Sequence, residues 1–302
     1  MHRRKIIAIS GSGRTGSTLL SLLLSQHKDV FNLGQLRDLW GAWANDAPCT
    51  CDHPLGGCPV YSKVVPVAVG AQADLAVTEM KSAMQTFFAA ANRLPDWSDE
   101  DAISKLAADH APVLTRLTSV LDALQAATGA SNFIDSSKSP EMALALSLTE
   151  GADVRVLNLG RDPRAVAVSW QQKRGFGAGL KYSRVWARRQ QVLERWSPAL
   201  GGRFLAVRYE DLAGAPEATI GKIHAWADLP ATKWLFTAPG RATIDWSGQH
   251  LYPPANERVL AERKTEVVIA PSEGWRGGSH ALMRGLAMIW SHPQGRAYVR
   301  GG

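Results

Sequence analysis

The chain has 302 residues, with 34 Lys+Arg against 27 Asp+Glu for a formal net charge of +7; 45% of residues are hydrophobic and 20% charged. This composition excludes a disordered chain, and no apolar run approaches the roughly 20 residues of a bilayer-spanning helix. The positive excess leaves three partner classes open: nucleic acid, a membrane surface, or a small polyanion.

The N-terminus, MHRRKIIAIS, has a basic start but neither a long apolar region nor a small-residue cleavage site, so no signal peptide is expected. The first expected element is a buried strand over Lys5–Ile9, followed by a Gly/Ser loop at residues 10–16 and a helix over Ser17–Ser25. Val30–Leu33 reads as a second strand, closed by Gly34. Residues 46–66 carry four prolines, two adjacent glycines and all three cysteines, and are expected to be irregular. An odd, clustered cysteine set is no secreted disulfide framework, so a reducing cytoplasm is expected. Cys49, Cys51, His53 and Cys58 number four potential zinc ligands, but C-x-C-x-H-x4-C is not a common zinc spacing. Free thiols in a structured loop are the favoured reading, ahead of a local disulfide or a metal.

Residues 71–128, with apolar spacings of three and four broken near Pro95 and Pro112, predict two or three helices. Strands are expected at Asn132–Asp135, Val154–Leu159 and Arg203–Tyr209, with helices over 140–150, 163–174 and 181–198. Residues 230–278 read as loops over the site, and His280–Trp290 as a last helix. Alternating strands and helices predict an α/β fold: a P-loop-like three-layer arrangement around a mostly parallel sheet of about five strands. The expected organisation is one domain over 1–302, with a helical insertion over about 67–130 and a loop-rich segment over about 230–278.

Two segments carry chemistry. Gly11 to Thr18 has its two outer glycines at P-loop spacing, but Ser17 stands where the NTPase lysine belongs. The physics of the cradle survives, because successive backbone N–H groups and a helix N-terminus converge on one anion. Arg14 supplies positive charge inside the loop, and Ser17 and Thr18 add hydroxyls. The alternative is a tight glycine turn with no ligand. The dinucleotide pattern G-x-G-x-x-G is also present, but Gly34-Gln35 follows the second strand where a ribose-binding acid belongs, so NAD is discounted. The second segment is Gly160-Arg161-Asp162-Pro163. Pro163 suits the first turn of a helix, and Arg161 stands at a strand's carboxyl end, where open α/β sheets bind ligands. Ser169 and Lys173 follow on that helix. The alternative is a helix cap with solvated arginines.

On these two motifs, in this order and about 145 residues apart, the chain resembles the sulfotransferases that use 3′-phosphoadenosine 5′-phosphosulfate (PAPS). SGSGRTGSTLL resembles their 5′-phosphosulfate loop, and LGRDPRAVAVSW their 3′-phosphate motif. FNLGQLRDLW, CTCDHPLGGCPVYSKV, FIDSSKSP and VRYEDL are similar to further stretches of the bacterial branch and its tyrosylprotein-type and carbohydrate-type relatives. The resemblance covers about residues 5–212. It implies that Arg14, Thr15, Gly16, Ser17 and Thr18 hold the 5′ end of the donor. Arg161 and Ser169 would hold the 3′-phosphate, Lys173 would support it, and Tyr209 would lie near the nucleotide. It also implies Lys138 as the residue assisting the leaving oxygen, Arg37 as a contact to the transferring group, and no metal requirement. The implied acceptor is a hydroxyl or amine of a small molecule, carbohydrate or lipid, and no nucleic acid is expected.

The chain departs from the resemblance at Gln35, which stands where relatives carry a Glu and cannot take a proton. Asp38, one turn along if Leu36–Trp40 is helical, is the replacement base. His53, His250, or an acceptor acidic enough to need little help are the alternatives. Two rival functions follow: a P-loop nucleotide kinase, or a non-catalytic nucleotide-binding protein that lost its base. The basic stretch 181–196 reads as a solvated helix face with Trp186 and Trp196 buried. Of the eleven tryptophans, Trp40, Trp43 and Trp246 are candidates for lining an acceptor pocket.

Overall fold

A computed structural model describes residues 3–70, 73–230, 232, 234–254 and 257–301. Strand β1 (Arg4–Gly11) leads into helix α1 (Ser17–Leu24), and β2 (Val30–Gly34) into a 3-10 turn at Leu36–Asp38 and then α2 (Leu39–Ala44). Between β2 and β3 (Asn132–Asp135) lie α2 and four further helices, α3 (Tyr61–Val69), α4 (Ala73–Ala91), α5 (Glu100–Asp109) and α6 (Ala111–Thr128), as the helical insertion requires; positions 71 and 72 of the expected stretch lie outside the described residues. Then follow α7 (Pro140–Ser147), β4 (Ala152–Gly160), α8 (Pro163–Arg174), α9 (Phe176–Leu200), β5 (Phe204–Arg208), α10 (Tyr209–Gly214) and α11 (Pro216–Ala227).

The five strands form one sheet in the order β2-β3-β1-β4-β5, and every pairing is parallel. A parallel sheet is covered on both faces, so its strands are nearly continuous apolar runs whose alternate side chains enter different cores. In β1, Ile6 and Ala8 join the core formed with the insertion, α7 and α9, where Phe87, Leu117 and Leu193 are buried. Ile7 and Ile9 join the opposite core, with Leu20 and Leu23 of α1 and Ile223 of α11. These two cores and the sheet between them make the three layers expected from the sequence.

Local chemistry explains the main boundaries. Asp162 caps α8 by accepting from Arg164 N at 2.9 Å, with Pro163 in the first turn. Ser139 does the same for α7 by accepting from Met142 N at 3.2 Å, ahead of Pro140. Helix α9 runs longer than expected because its glycine-rich start has poor helix propensity but packs closely. A Cβ on Gly179 would lie 2.8 Å from the Met283 sulfur and 3.0 Å from the Ala167 carbonyl oxygen, so tertiary contact overrides propensity there.

The loop-rich stretch 230–278 also carries short regular elements that the sequence did not announce. Strands β6 (Phe236–Ala238), β7 (Arg241–Thr243) and β8 (Glu266–Val268) form a small antiparallel sheet, with α12 (Glu257–Glu262) between β7 and β8. Strands of three residues are too short to register as alternation in a sequence. Leu235, Ala242, Ile244 and Ile269 bury into the α1/α11 core, while Gln249 Oε1 accepts from Asn32 Nδ2 of β2 at 3.3 Å. This segment is therefore pinned beside β2 and α1.

The last helix, α13 (Ala281–Trp290), matches expectation, and a further one, α14 (Gln294–Arg300), was not anticipated. Tyr298 of α14 donates to Glu210 Oε2 at 2.7 Å, and a Cβ on Gly160 would lie 2.6 Å from its ring. Among the described residues no helix is long and apolar enough to cross a membrane.

Candidate functional site

Every strand of the sheet delivers a candidate residue at its carboxyl end, where open parallel sheets bind ligands. In spatial order these are Gln35–Asp38 after β2, Lys138 after β3, the glycine loop after β1, Arg161 after β4, and Tyr209 after β5.

The glycine loop is built by backbone requirements. Gly11 has φ 119°, and a Cβ there would stand 2.6 Å from the Leu159 carbonyl oxygen of the neighbouring strand. Gly16 caps α1 at φ 85°, a left-handed conformation that favours glycine. Thr15 Oγ1 donates to the Ser12 carbonyl at 2.9 Å and closes the loop on itself. Thr15, Ser17 and Thr18 are buried.

One flank gathers Arg14, Arg161, Ser169 and Tyr209. Arg14 Nε donates to Ser169 Oγ at 2.9 Å, and Arg161 Nη1 donates to the Arg14 carbonyl at 2.9 Å. The Arg161 guanidinium lies over the Tyr209 ring, 4.2 Å from its centre. That ring also abuts Gly16, where a Cβ would be 3.1 Å away. Burial and the like charge of Arg161 both lower the Arg14 pKa. Arg161 Nε is buried with no hydrogen-bond partner among the described residues. A buried, unpaired guanidinium nitrogen beside a second arginine is costly unless an anion completes the site. Lys173, one turn beyond Ser169, is exposed on the last turn of α8.

The other flank gathers Arg37, Asp38, Lys138 and a residue that the sequence reading placed on a solvated face, Arg189. Lys138 has φ 56°, donates its backbone N–H to the Ile9 carbonyl at 3.1 Å, and donates from Nζ to the Ser136 carbonyl at 2.7 Å. Its surroundings pull its pKa down to about 8; burial is the largest cause, Asp135 and Asp38 oppose it, and Arg189 and Arg37 reinforce it. Arg189 Nη1 donates to the Gly11 carbonyl at 3.2 Å, and burial lowers its pKa. The signal for Arg189 was available. It lies three residues after Trp186 and four before Leu193, within the stripe that α9 buries. The other basic residues of α9 serve its surface: Arg184 stacks on Trp290 at 3.5 Å, and Arg188 donates to Asn92 Oδ1 at 3.1 Å.

Burial raises the Asp38 carboxyl pKa, against the pull of Arg37, Lys138 and Arg189. Arg37 approaches Asp38 at 3.7 Å and lies 5.7 Å from the centre of the Phe88 ring. Gln35 is buried, and its carbonyl accepts from Tyr252 Oη at 3.4 Å.

The D-S-S segment of FIDSSKSP explains why these two loops meet. Asp135 Oδ1 accepts from Leu36 N at 3.1 Å and Ser137 Oγ at 2.6 Å; Ser137 Oγ accepts from Arg37 N at 3.1 Å; Ser136 N donates to the Gly34 carbonyl at 2.7 Å. Asp135, which the sequence reading quoted without a role, latches the turn after β2 to the end of β3 and holds Asp38 near Lys138.

Both histidine candidates are corrected. His53 is exposed, with Nδ1 2.8 Å from the Cys51 carbonyl. His250 is buried against the thiols of Cys49 and Cys58 and stacks on Phe31. The tryptophan candidates are corrected too. Trp40 is fully buried in the insertion core, Trp43 packs against that core, and Trp246 packs on the α1/α11 core and donates to the Lys264 carbonyl at 3.0 Å. Instead, Trp170 flanks the loop. It stacks on Tyr182 with ring centres 3.7 Å apart, and a Cβ on Gly13 would come within 2.9 Å of it. A cavity of about 650 Å³ opens at the amino end of β2, lined by Gln26, Lys28, Phe31 and His250 among others, and shares no lining residue with the site.

The fold and site together define an α/β protein that gathers arginine, lysine and backbone donors at the carboxyl ends of a parallel sheet. Residues 7–233 match the family model described as the sulfotransferase family, and the chain belongs to that family. It is similar in fold to the sulfotransferase domain from the Synechococcus PCC 7002 olefin synthase, with a TM-score of 0.52, 18% identity and 96% of each chain covered. Two further solved structures match less closely. The sulfotransferase domain from the curacin biosynthetic pathway has a TM-score of 0.43 at 18% identity, covering 96% of this chain and 98% of that one. A sulfotransferase from Mycobacterium avium has a TM-score of 0.45 at 17% identity, covering 90% and 79%. No curated protein sequence matches the chain.

Proposed function

We propose that this chain, acting as one domain, transfers a sulfuryl group from PAPS to a hydroxyl or amine of a small-molecule, carbohydrate or lipid acceptor. The observation that carries this reading is the unpaired, buried Arg161 Nε beside Arg14 and Ser169, on a glycine loop that lacks the NTPase lysine. A second anion-binding flank suits a nucleotide bearing a 3′-phosphate, and the missing lysine weighs against a triphosphate held with magnesium. A cytoplasmic location belongs to the same proposal, since buried thiols that are not joined in disulfides suit a reducing compartment.

The residues fit the donor. Arg14, Thr15, Gly16, Ser17 and Thr18 would hold its 5′ end; Arg161 and Ser169 its 3′-phosphate, supported by Lys173; Tyr209 would line the nucleotide. When bound, the donor supplies an activated phosphosulfate bond. Catalysis then rests on positioning and charge neutralisation, in which Arg and Lys donors do the work without a metal. Lys138 holds a proton for the leaving oxygen, Arg189 and Arg37 neutralise charge beside it, and Asp38 takes the proton from the acceptor.

Thermal shift separates this reading from its rivals. PAPS and 3′-phosphoadenosine 5′-phosphate should raise Tm, and ATP with magnesium should not; the reverse order would support the kinase. Transfer of labelled sulfate to any member of a broad acceptor panel would exclude the non-catalytic reading. For the base, Asp38→Asn should lower kcat more than tenfold. A smaller fall would remove Asp38 from that role.

A further inference from the structure

The four groups Cys49, Cys51, Cys58 and His250 do not enter the chemistry above, yet their ligand atoms all lie within 4.8 Å of one another. From this cluster we propose a structural zinc site, with three thiolates and one imidazole as a closed ligand set. The sequence alone offered His53 as the fourth ligand at an uncommon spacing. The fold instead supplies His250, 192 positions from Cys58.

The distances suit a tetrahedral ion. With Zn–S about 2.3 Å and Zn–N about 2.0–2.1 Å, tetrahedral angles put two sulfurs about 3.8 Å apart and a sulfur and a nitrogen about 3.5 Å apart. Cys49 Sγ and Cys58 Sγ are separated by 3.8 Å, and His250 Nδ1 lies 3.3 Å from Cys58 Sγ and 4.0 Å from Cys49 Sγ. That sulfur separation is nearly twice the roughly 2.05 Å of a disulfide bond, and a Cys49–Cys58 disulfide would leave Cys51 and His250 without a purpose.

The scaffold aims these atoms. Pro48 and Pro54 pair across a bridge, Cys49 N donates to the His53 carbonyl at 2.8 Å, and Asp52 turns the chain at φ 66°, bringing both thiols of the C-x-C to one side. The opposing segment is held independently of any ion. Thr50 N donates to the Leu251 carbonyl at 2.9 Å, and Thr50 Oγ1 donates to the Gln249 carbonyl at 2.7 Å. His250 stacks on Phe31, which fixes its ring. With four protein ligands the ion is structural. It ties the cysteine loop to the segment carrying Tyr252, whose hydroxyl reaches the Leu33 and Gln35 carbonyls, and so braces the end of β2.

Zinc content of the full chain, purified under reducing conditions from zinc-supplemented culture and passed through gel filtration, tests the proposal without any activity assay. About one zinc per chain is expected, with Cys49→Ser, Cys51→Ser, Cys58→Ser and His250→Ala each retaining under a tenth of it and His53→Ala retaining all. Should those variants fail to fold, the wild-type chain loaded with cobalt must show the intense visible bands of a tetrahedral thiolate site. Zinc below a tenth of an equivalent in the wild type, a Cys49–Cys58 disulfide in its non-reduced mass spectrum, cobalt loading without tetrahedral bands, or loss of zinc from His53→Ala but not from His250→Ala would overturn the site.

Discussion

Lys138→Ala is expected to lower kcat by about 10²–10³-fold while leaving donor affinity within a few-fold of wild type. The size is that of removing one donor aimed at charge that develops only in the transition state. The site offers no ready substitute. Arg189 already donates to the Gly11 carbonyl, and Arg37 lies against Asp38 and Phe88. Lys138 also predicts a pH profile. Burial depresses its pKa to about 8, so its protonated, proton-donating form is lost as pH rises through that value. The kcat/KM profile, which reports the free enzyme, should fall on the alkaline side near pH 8. Bound phosphosulfate favours the protonated form, so the corresponding limb of kcat should lie at higher pH. Lys138→Ala should remove both limbs along with the rate. A variant with kcat within threefold of wild type, or one whose defect lies wholly in donor KM, would assign Lys138 to binding or scaffolding instead.

Arg161→Ala should weaken binding of 3′-phosphoadenosine 5′-phosphate by about 10²-fold or more, and binding of the 3′-dephospho form by only a few-fold. Truncating one side of a buried charged pair costs about 2–5 kcal/mol, and that cost applies only where the ligand carries the partner charge. Isothermal calorimetry on both nucleotides gives the two ratios. Equal losses would mean that Arg161 holds the loop through its bond to the Arg14 carbonyl and does not read the 3′-phosphate. Ser169→Ala separates these possibilities further, since Ser169 contacts the Arg14 side chain and leaves that backbone bond intact.

Features that a few neighbouring residues dictate were legible in the sequence. The spacing of Gly11 and Gly16, the strand before them and the apolar helix after them define the cradle locally. Pro163 behind Asp162 announced the start of α8. Five short apolar runs separated by helical patterns foretold a covered parallel sheet, and the strand positions agree with the observed ones to within about two residues. Misreadings arose where a residue's role depends on its distant neighbour. Arg189 looks solvated when the other basic residues of α9 are counted and buried when its place beside Trp186 and Leu193 is considered. His250 looks like a spare base until the cysteine loop folds against it. Asp135 looks like the end of a strand until its carboxylate is seen holding the turn after β2.

By itself, then, the sequence determined that this chain builds a glycine loop between strand and helix on a parallel sheet, with an arginine after the fourth strand. Glycine geometry, helix starts and apolar periodicity act over a few residues, so they can be read locally. Only the tertiary structure decided which charges surround the cradle. Arg37, Asp38, Lys138 and Arg189 come from the turns after β2 and β3 and from α9, and they meet only in the folded chain; Arg161 meets Arg14 and Tyr209 on the other flank. Desolvation and Coulomb forces depend on distance in space, so no local pattern records them.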